Sequence, residues 1–261
     1  MCLLIFAHRA CNKFPLIVAA NRDEFHARPT AQSHFWPSHP ELLAGQDLEQ
    51  GGTWMGITRS GRFAAVTNFR DPNRTTPAPR SRGELPLDFL VGQQNPQSYL
   101  SQLKARSRDY AGFNLLVGAG DELWYYDNSD SQLPQCLAPG IYGLSNADLD
   151  TPWPKVQIGK QRLQTLLDGG DFGHEELADV VSDQALADPA SLNLANTEER
   201  PENSMEHLLS AQFIVSPDYG TRSTTSLWID DCGEAHCREQ SFNPDGKMRE
   251  SCTETLTAQV G

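Results

Sequence analysis

Short apolar runs separated by turn-forming residues make up most of the chain and predict a protein rich in β-hairpins. The first two runs, at 2–7 and 16–20, flank a polar segment that contains a proline, which is typical of a hairpin connection. Two more hairpins are predicted around Ser60-Gly61 and around 118–121. The later strand-like runs are at 54–58, 63–69, 114–117, 122–126, 212–215, 223–229 and 235–239.

The first hairpin determines what surrounds the start of the chain. Pairing Leu4 with Val18 would set Cys2 opposite Ala20. The charged segment 21–24 would then emerge beside Cys2, because antiparallel partners lie about 4.5 to 5.5 Å apart.

Helices are predicted between the strands from their capping signals. The signals are Ser81 followed by Glu84, Asn95-Pro96, Thr151-Pro152 with Gly169-Gly170 at the far end, and an apolar pattern at 175–181. Hairpins near both ends of the chain with helices in the middle favour an α+β fold, with two mainly antiparallel sheets between helices as the best candidate.

Two segments carry no clear pattern. The segment 25–52 contains three prolines and no periodicity, so we expect a lid or a pocket wall there. After Glu239 the sequence turns polar and should fray. We therefore predict a single domain at 1–240 and a polar tail at 241–261.

The charge balance narrows the classes of partner. The chain has 21 basic and 34 acidic residues, a net charge of −13, and its basic residues are scattered. A surface that follows a phosphate backbone is therefore not expected, and neither is a nucleic-acid partner. No apolar run approaches the roughly 18 to 20 residues of a membrane helix, and the short run at 2–7 does not resemble a signal peptide. We expect a cytoplasmic protein.

Six widely spaced cysteines in a chain of 261 residues favour reduced thiols over a disulfide framework. Only Cys232 and Cys237, with His236 between them, have a spacing that could suit a metal. No second ligand pair lies at a compatible spacing, and the segment alternates like an edge hairpin. We expect no metal there.

Cys2 is the residue with the clearest chemical potential. If Met1 is removed, Cys2 carries a thiol and a free α-amine, with ordinary pKa values of about 8.5 and about 7.7 to 8.0, so the amine can accept the thiol proton. The alternative interpretation is a cysteine buried in a first strand without a reactive environment.

An N-terminal thiol needs a positive charge and donors for an oxyanion. Arg22 would supply the charge, with Asp23 and Glu24 to orient it or to bind the α-ammonium, unless the four polar residues are only a surface turn. Asn68 and Asn146 each follow an apolar strand and are candidate oxyanion donors, although asparagine at such places is also a common turn former. Arg222 lies at a turn that leads into a strand. Its side chain either projects a positive charge from the edge of the sheet or is simply a solvated charge at that turn.

Taken together, seven blocks in this order resemble the NRDE family, the homologues of the Transport and Golgi organisation two protein. The blocks are Met1-Cys2 with its apolar strand, Asn21-Arg22-Asp23-Glu24, 51–57, Asn68-Phe69-Arg70, 142–146, 151–156 and 219–223. That family in turn resembles the cysteine-type N-terminal-nucleophile hydrolases, which include bile-salt hydrolases, penicillin V acylase and acyl-CoA-dependent acyltransferases.

The resemblance implies a four-layer αββα sandwich and cleavage or transfer at linear amide or thioester bonds of small acyl compounds. Cys2 would be nucleophile and base, Arg22 and Asp23 its neighbours, and Asn146 an oxyanion donor. The implied pocket or oxyanion residues are Asn21, Glu24, Trp54, Asn68, Arg70 and Arg222. The hydrolases carry an Arg-Asn-x-Asp turn where this chain has Asn-Arg-Asp-Glu, so either Asp23 or Glu24 takes the acidic place. No cofactor is implied.

A second function stays open from the same resemblance. Eukaryotic relatives are associated with lipid, acyl-CoA and haem homeostasis, which suggests a non-catalytic binding or trafficking protein with a hydrophobic ligand in the same pocket. Haem binding through a Cys-Pro motif has no support, since no cysteine precedes a proline. Retention of Met1 would favour this alternative.

Overall fold

Two antiparallel sheets form the centre of the protein, and a computed structural model describes them over residues 2–69, 78–129, 133–188 and 205–257. The first sheet contains, in order, β10 (Gly140–Leu144), β1 (Cys2–His8), β2 (Leu16–Phe25), β11 (Tyr219–Ile229), β12 (Ala235–Phe242) and β13 (Met248–Leu256). The second contains, in order, β3 (Thr30–Trp36), β4 (His39–Asp47), β5 (Met55–Thr58), β6 (Phe63–Asn68), β7 (Phe113–Ala119), β8 (Glu122–Asp127) and β9 (Gln135–Cys136).

The helices cover the outer faces of the two sheets. They are α1 (Glu84–Val91), α2 (Pro96–Lys104), α3 (Pro154–Gly169), α4 (His174–Asp179) and α5 (Met205–Leu208). Helices α1 and α2 contact the second sheet, whereas α3 and α4 contact the first. The predicted αββα sandwich is therefore confirmed. In the described part of the chain, no helix is both long and apolar enough to cross a bilayer.

Alternation along the strands distributes side chains between two faces, because successive residues of a strand point to opposite sides. In β1, Leu4 and Phe6 pack in the core between the sheets, whereas Leu3 and Ile5 pack against α3 and α4. The strands of the second sheet alternate in the same way, so a third apolar cluster lies beneath α1 and α2. Strand β2 is covered on both faces, and this buries even its polar residues 21–23.

The first hairpin has a different register from the predicted one. Leu4 pairs with Ala20, not with Val18, so the predicted register was wrong by two residues. The cause is the connection at 9–15, which is closed by a hydrogen bond from the Arg9 N–H to the Pro15 carbonyl at 2.8 Å. In the observed register Cys2 lies directly opposite Arg22.

The expectation that 25–52 lacks regular structure was wrong, because β3 and β4 occupy most of it. Pro29 and Pro37 lie just outside these strands and mark their ends. Strand β3 is an edge strand with register shifts against β4, which explains the missing alternation.

The expected fraying after Glu239 was also wrong. Strand β13 pairs with β12, and most of its side chains face water because it lies at the sheet edge. An edge strand of this kind has a polar sequence that is easily taken for a tail. The predicted strand at 212–215 is instead an irregular segment, buried at 212–214, in which the N–H groups of Gln212 and Phe213 both donate to the Asp183 carbonyl.

Candidate active site

A cavity of about 370 Å³ opens where β1 begins and β2 ends. Six of the predicted site residues line it: Cys2, Arg22, Asp23, Glu24, Trp54 and Asn68. The other lining residues include Arg28, Asp47, Glu49, Gln50, Thr53, Arg80, Ser81, Arg82 and Gly83. The wall is mostly polar and charged, so it suits a ligand with polar groups.

Cys2 begins β1 on the face between the sheets, beside its cross-strand neighbour Arg22. Its carbonyl accepts a hydrogen bond from Ser145 Oγ at 3.2 Å, which ties β1 to the end of β10. Burial raises the pKa of the Cys2 thiol, and the negative charge of Asp23 raises it further, although Arg22 and the Asp23 N–H act in the opposite direction. The resting group is therefore a thiol that needs a base.

Arg22 and Asp23 are both buried next to Cys2. The Arg22 guanidinium lies over the Trp54 ring, 4.2 Å from its centroid, and donates to Thr30 Oγ1 at 3.3 Å. The Asp23 carboxylate accepts a hydrogen bond from Thr221 Oγ1 at 2.7 Å. Burial raises the pKa of Asp23, against the effect of that bond and of nearby positive charges.

Lys155, at the start of α3, places a positive charge near Asp23 and Cys2 on the side of the first sheet that the helices cover. It is buried, and its Nζ donates to the Leu209 carbonyl at 2.7 Å. Burial lowers its pKa to about 8, while the charges of Asp23 and Cys2 act to raise it. Lys155 thus offsets part of the cost of burying the Asp23 carboxylate.

Glu24 belongs to a charged group at the rim of the cavity. Arg28 lies 2.7 Å from Asp47, 3.4 Å from Glu49 and 4.0 Å from Glu24. These four side chains come from β2, the following turn, β4 and the segment after β4. Their mutual pairing holds the rim together.

Asn21 and Arg222 are not among the cavity-lining residues. Asn21 lies on the helix-covered face of β2, where its amide donates to the carbonyls of Val181 and Gln212 at 2.7 and 2.8 Å. Alternation along β2 explains this, since Asn21 and Arg22 must point to opposite faces. Arg222 donates to the Phe25 and Arg28 carbonyls and so fixes the turn after β2. Arg70 lies outside the described residues.

The two candidate oxyanion donors are connected to each other. Asn146 Nδ2 donates to the Asn68 carbonyl at 2.9 Å, and Asn146 does not line the cavity. Asn68 does line it. The role of Asn146 as a direct donor stays a prediction.

Asn114, which sequence reasoning missed, joins the two sheets behind this pair. Its Nδ2 is within 3.0 Å of Thr67 Oγ1, 3.2 Å of the Ser145 carbonyl and 3.1 Å of the Ala147 carbonyl. Its Oδ1 accepts a hydrogen bond from Tyr125 at 2.8 Å. Asn114 therefore holds the ends of β6 and β10 together.

Glu239 is a second group that the sequence did not reveal. Its carboxyl group is buried, accepts the Ser33 N–H at 2.8 Å and lies 3.4 Å from Ser223 Oγ. Burial raises its pKa from 4.5 to about 7, although the Ser33 bond and Arg22 act to lower it.

This raised pKa predicts a pH-dependent stability. The folded protein holds the Glu239 proton more tightly than the unfolded chain does, so the resulting stabilisation is present below pH 4.5 and is lost as the pH rises through about 7. The free energy of unfolding of Glu239→Gln minus that of the unchanged protein should therefore increase by at most about 3 kcal/mol as the pH rises from about 5 to about 8. Urea denaturation at several pH values measures this difference. Glu250→Gln, at an exposed position of β13, is the control, and equal pH profiles for the two variants would contradict the prediction.

The segment at 232–237, whose spacing of cysteine and histidine could suit a metal, contains the end of a turn and the start of β12. Cys232 is exposed in the turn between β11 and β12, whereas Cys237 packs in the core between the sheets. Asp230, Glu234 and His236 have ligand-type atoms within 4.8 Å of one another. Asp230 already accepts the N–H groups of Cys232 and Glu234, which is typical of an acidic residue closing a turn.

Comparison with known proteins identifies similar chains and a similar fold. The family model described as Transport and Golgi organisation 2 matches residues 1–244. The Transport and Golgi organization protein 2 homologs of Bos taurus and Homo sapiens are 39% and 36% identical to this chain, each over 93% of both sequences. A variant of the conjugated bile acid hydrolase from Clostridium perfringens aligns over 99% of both chains with a TM-score of 0.52 and 9% identity. This last similarity concerns the fold, which is that of the N-terminal-nucleophile hydrolases.

Proposed function

The chain belongs to the Transport and Golgi organisation 2 family, and on that premise we propose that its mature form begins at Cys2 and acts as an N-terminal-cysteine hydrolase or acyltransferase. Its substrates would be linear amides or thioesters of small acyl compounds. The observation that carries the proposal is the position of Cys2 on the cavity wall, opposite the buried Arg22 and next to the buried Asp23.

In this mechanism the α-amine of Cys2, freed by removal of Met1, is the base for the partly buried thiol. Once Met1 is removed, the neutral amine accepts the thiol proton while the sulfur attacks the acyl carbon and forms a C–S bond. The same proton passes to the leaving amine or thiol as the original C–N or C–S bond breaks. Water, or another acceptor for transfer, then gives a proton to the amine and forms a new bond to the acyl carbon. The C–S bond to Cys2 breaks, and the amine returns the proton to the sulfur.

Asn68 is the better candidate for the oxyanion donor in this proposal. It lines the cavity, and within the described part of the chain its side-chain amide makes no hydrogen bond. Asn146 would act as a positioning residue through its bond to the Asn68 carbonyl. A well-placed donor of this kind is worth roughly 3 to 4 kcal/mol of transition-state stabilisation.

The alternative, a carrier for acyl-CoA, lipid or haem, has less support from the cavity. Its wall carries four arginines and four acidic residues, so it offers little apolar surface for a lipid, an acyl chain or a porphyrin ring. Acyl transfer uses the charged groups, since the reacting carbonyl develops negative charge.

The proposal is tested by mass spectrometry of the purified protein. We expect the intact mass to lack Met1, and a panel of acyl thioesters to leave one acyl group on Cys2, located by peptide mapping. Exposed Cys136 is the internal reference and should stay unmodified under the same conditions. Folded protein that retains Met1, or acylation of Cys136 as fast as of Cys2, would overturn the proposal.

A further inference from the structure

Some of the charged residues that line the cavity form ion pairs and others do not. Its arginines are Arg22, Arg28, Arg80 and Arg82, and its acidic residues are Asp23, Glu24, Asp47 and Glu49. Three of the acidic residues surround Arg28 alone. Arg80 forms an ion pair with Glu84, which is not a lining residue, at 2.6 Å. Asp23 lies beside Arg22, so Arg82 is the lining arginine whose charge is least balanced by a neighbouring carboxylate.

Within the described ranges neither Arg22 nor Arg82 forms an ion pair, although Asp23 and Glu239 lie near enough to Arg22 to interact with its charge. Arg22 contacts the Thr30 hydroxyl and the Trp54 ring, and Arg82 Nη1 donates to the Gly112 carbonyl at 3.0 Å. A guanidinium has five N–H donors, so each side chain keeps donors for a ligand. A partly buried cation without a counter-charge is costly, and a bound anion offsets that cost.

Arg82 is also held in place before any ligand binds. The Thr53 N–H donates to the Gly83 carbonyl at 3.0 Å, and the Gly83 N–H donates to Ser81 Oγ at 3.3 Å. At Gly52, a Cβ atom would lie 2.4 Å from the Gly83 carbonyl carbon, so the two backbones are in direct contact. Arg82 therefore projects from a rigid part of the wall, which limits the entropy lost on binding.

Arg82 and Cys2 are close enough to affect each other electrostatically. Burial lowers the pKa of Arg82, while the charges of Cys2 and Glu24 act to raise it. A ligand group at Arg82 would thus lie in the same cavity as the reacting thiol, although the segment before α1 and strand β1 are far apart in sequence.

We propose that the acyl substrate carries an anionic group, a carboxylate or a phosphate, which binds Arg82 while the reacting carbonyl lies at Cys2 beside Arg22. The planar guanidinium matches both anions with paired N–H donors. This inference rests on the proposed function, for which it names the substrate class. Arg82 is then a residue that determines specificity, distinct from the groups that move protons.

Two alkylating reagents of similar size, iodoacetate and iodoacetamide, test the anion subsite directly. Peptide mapping gives the rate at which each reagent alkylates Cys2. We expect the rate with iodoacetate divided by the rate with iodoacetamide to be roughly tenfold higher at Cys2 than for a small uncharged thiol in solution. Arg82→Gln should remove most of this preference, and Arg82→Lys should keep part of it. Arg106→Gln is the matched control, because Arg106 follows α2, pairs with Asp88 of α1 and does not line the cavity, so it should leave the ratio unchanged.

Thermal unfolding with glutarate, inorganic phosphate and neutral glutaramide distinguishes the two anions without any reaction at Cys2. We expect one or both anions, but not glutaramide, to raise the midpoint of the unchanged protein, with a smaller shift for Arg82→Gln. If Cys2 reacts with the two reagents in the same rate ratio as a free thiol, the anion subsite is overturned. If Cys2 reacts with neither reagent, a thermal midpoint that neither anion raises would overturn it. Acylation of Cys2 without anion preference leaves the proposed function standing, whereas anion preference without acylation contradicts only that function.

Discussion

Cys2→Ala is expected to lower kcat/KM for acyl substrates by roughly 10³- to 10⁶-fold, because it removes the sulfur that forms the acyl-enzyme bond in the proposed mechanism. The loss should fall on the chemical step, so that substrate binding changes little. Steady-state assays with any thioester that acylates the unchanged protein provide the measurement. The thermal midpoint should stay close to that of the unchanged protein, since Cys2 is only partly buried and an alanine fits the same strand position.

Two control variants distinguish the role of the Cys2 thiol from that of its α-amine. Cys136→Ala removes an exposed thiol and should retain full activity. Inserting a lysine between Met1 and Cys2 keeps the thiol but takes away its free α-amine, and it should reduce turnover nearly as much as Cys2→Ala. Full activity in the insertion variant would show that another group acts as the base.

Asn114→Ala should cause the largest loss of stability among single changes near the cavity. The side chain is fully buried, and its removal takes a donor from the Ala147 carbonyl. It also takes one of two partners from the Ser145 carbonyl, which keeps the Thr67 hydroxyl, and from the Tyr125 hydroxyl, which keeps Asp127. An unsatisfied buried polar group costs about 1 to 3 kcal/mol and the two weakened groups add to it, so we expect the free energy of unfolding to fall by roughly 2 to 4 kcal/mol. Urea denaturation monitored by tryptophan fluorescence measures it.

Asn95→Ala is the matched control for that change. Asn95 caps α2, where its side chain accepts the Ser98 N–H at 2.8 Å, and its loss should cost only about 1 kcal/mol. Equal losses for the two variants would mean that Asn114 does not join the sheets. Acylation of Cys2 should also slow in Asn114→Ala, because the chain around Ser145 and Asn146 loses its support.

The parts of the fold that local patterns determine could be predicted from the sequence. The central hairpins and α2 have clear periodicity or caps, and the layers follow from their arrangement. Strands β3 and β13 were missed because edge strands need not alternate, and a water-facing side makes their sequences polar.

The candidate site was predictable only where neighbouring strands bring residues together. Cys2 and Arg22 belong to one hairpin, and simple alternation would have separated Asn21 from them. Packing between distant segments places Arg82 on the cavity wall and Asn114 and Glu239 behind it, and no local signal distinguishes these three from ordinary polar residues. Their contribution depends on tertiary structure.

The hairpin register makes the connection at 9–15 a determinant of chemistry at the opposite end of the sheet. A shift of two residues between β1 and β2 would keep every apolar side chain on its own face, since the strand repeat is two. It would nevertheless move Cys2 about 7 Å along β2, to a position opposite Ala20, where no guanidinium is its cross-strand partner. Changes in the length of this remote loop can therefore abolish reactivity in a chain that still folds.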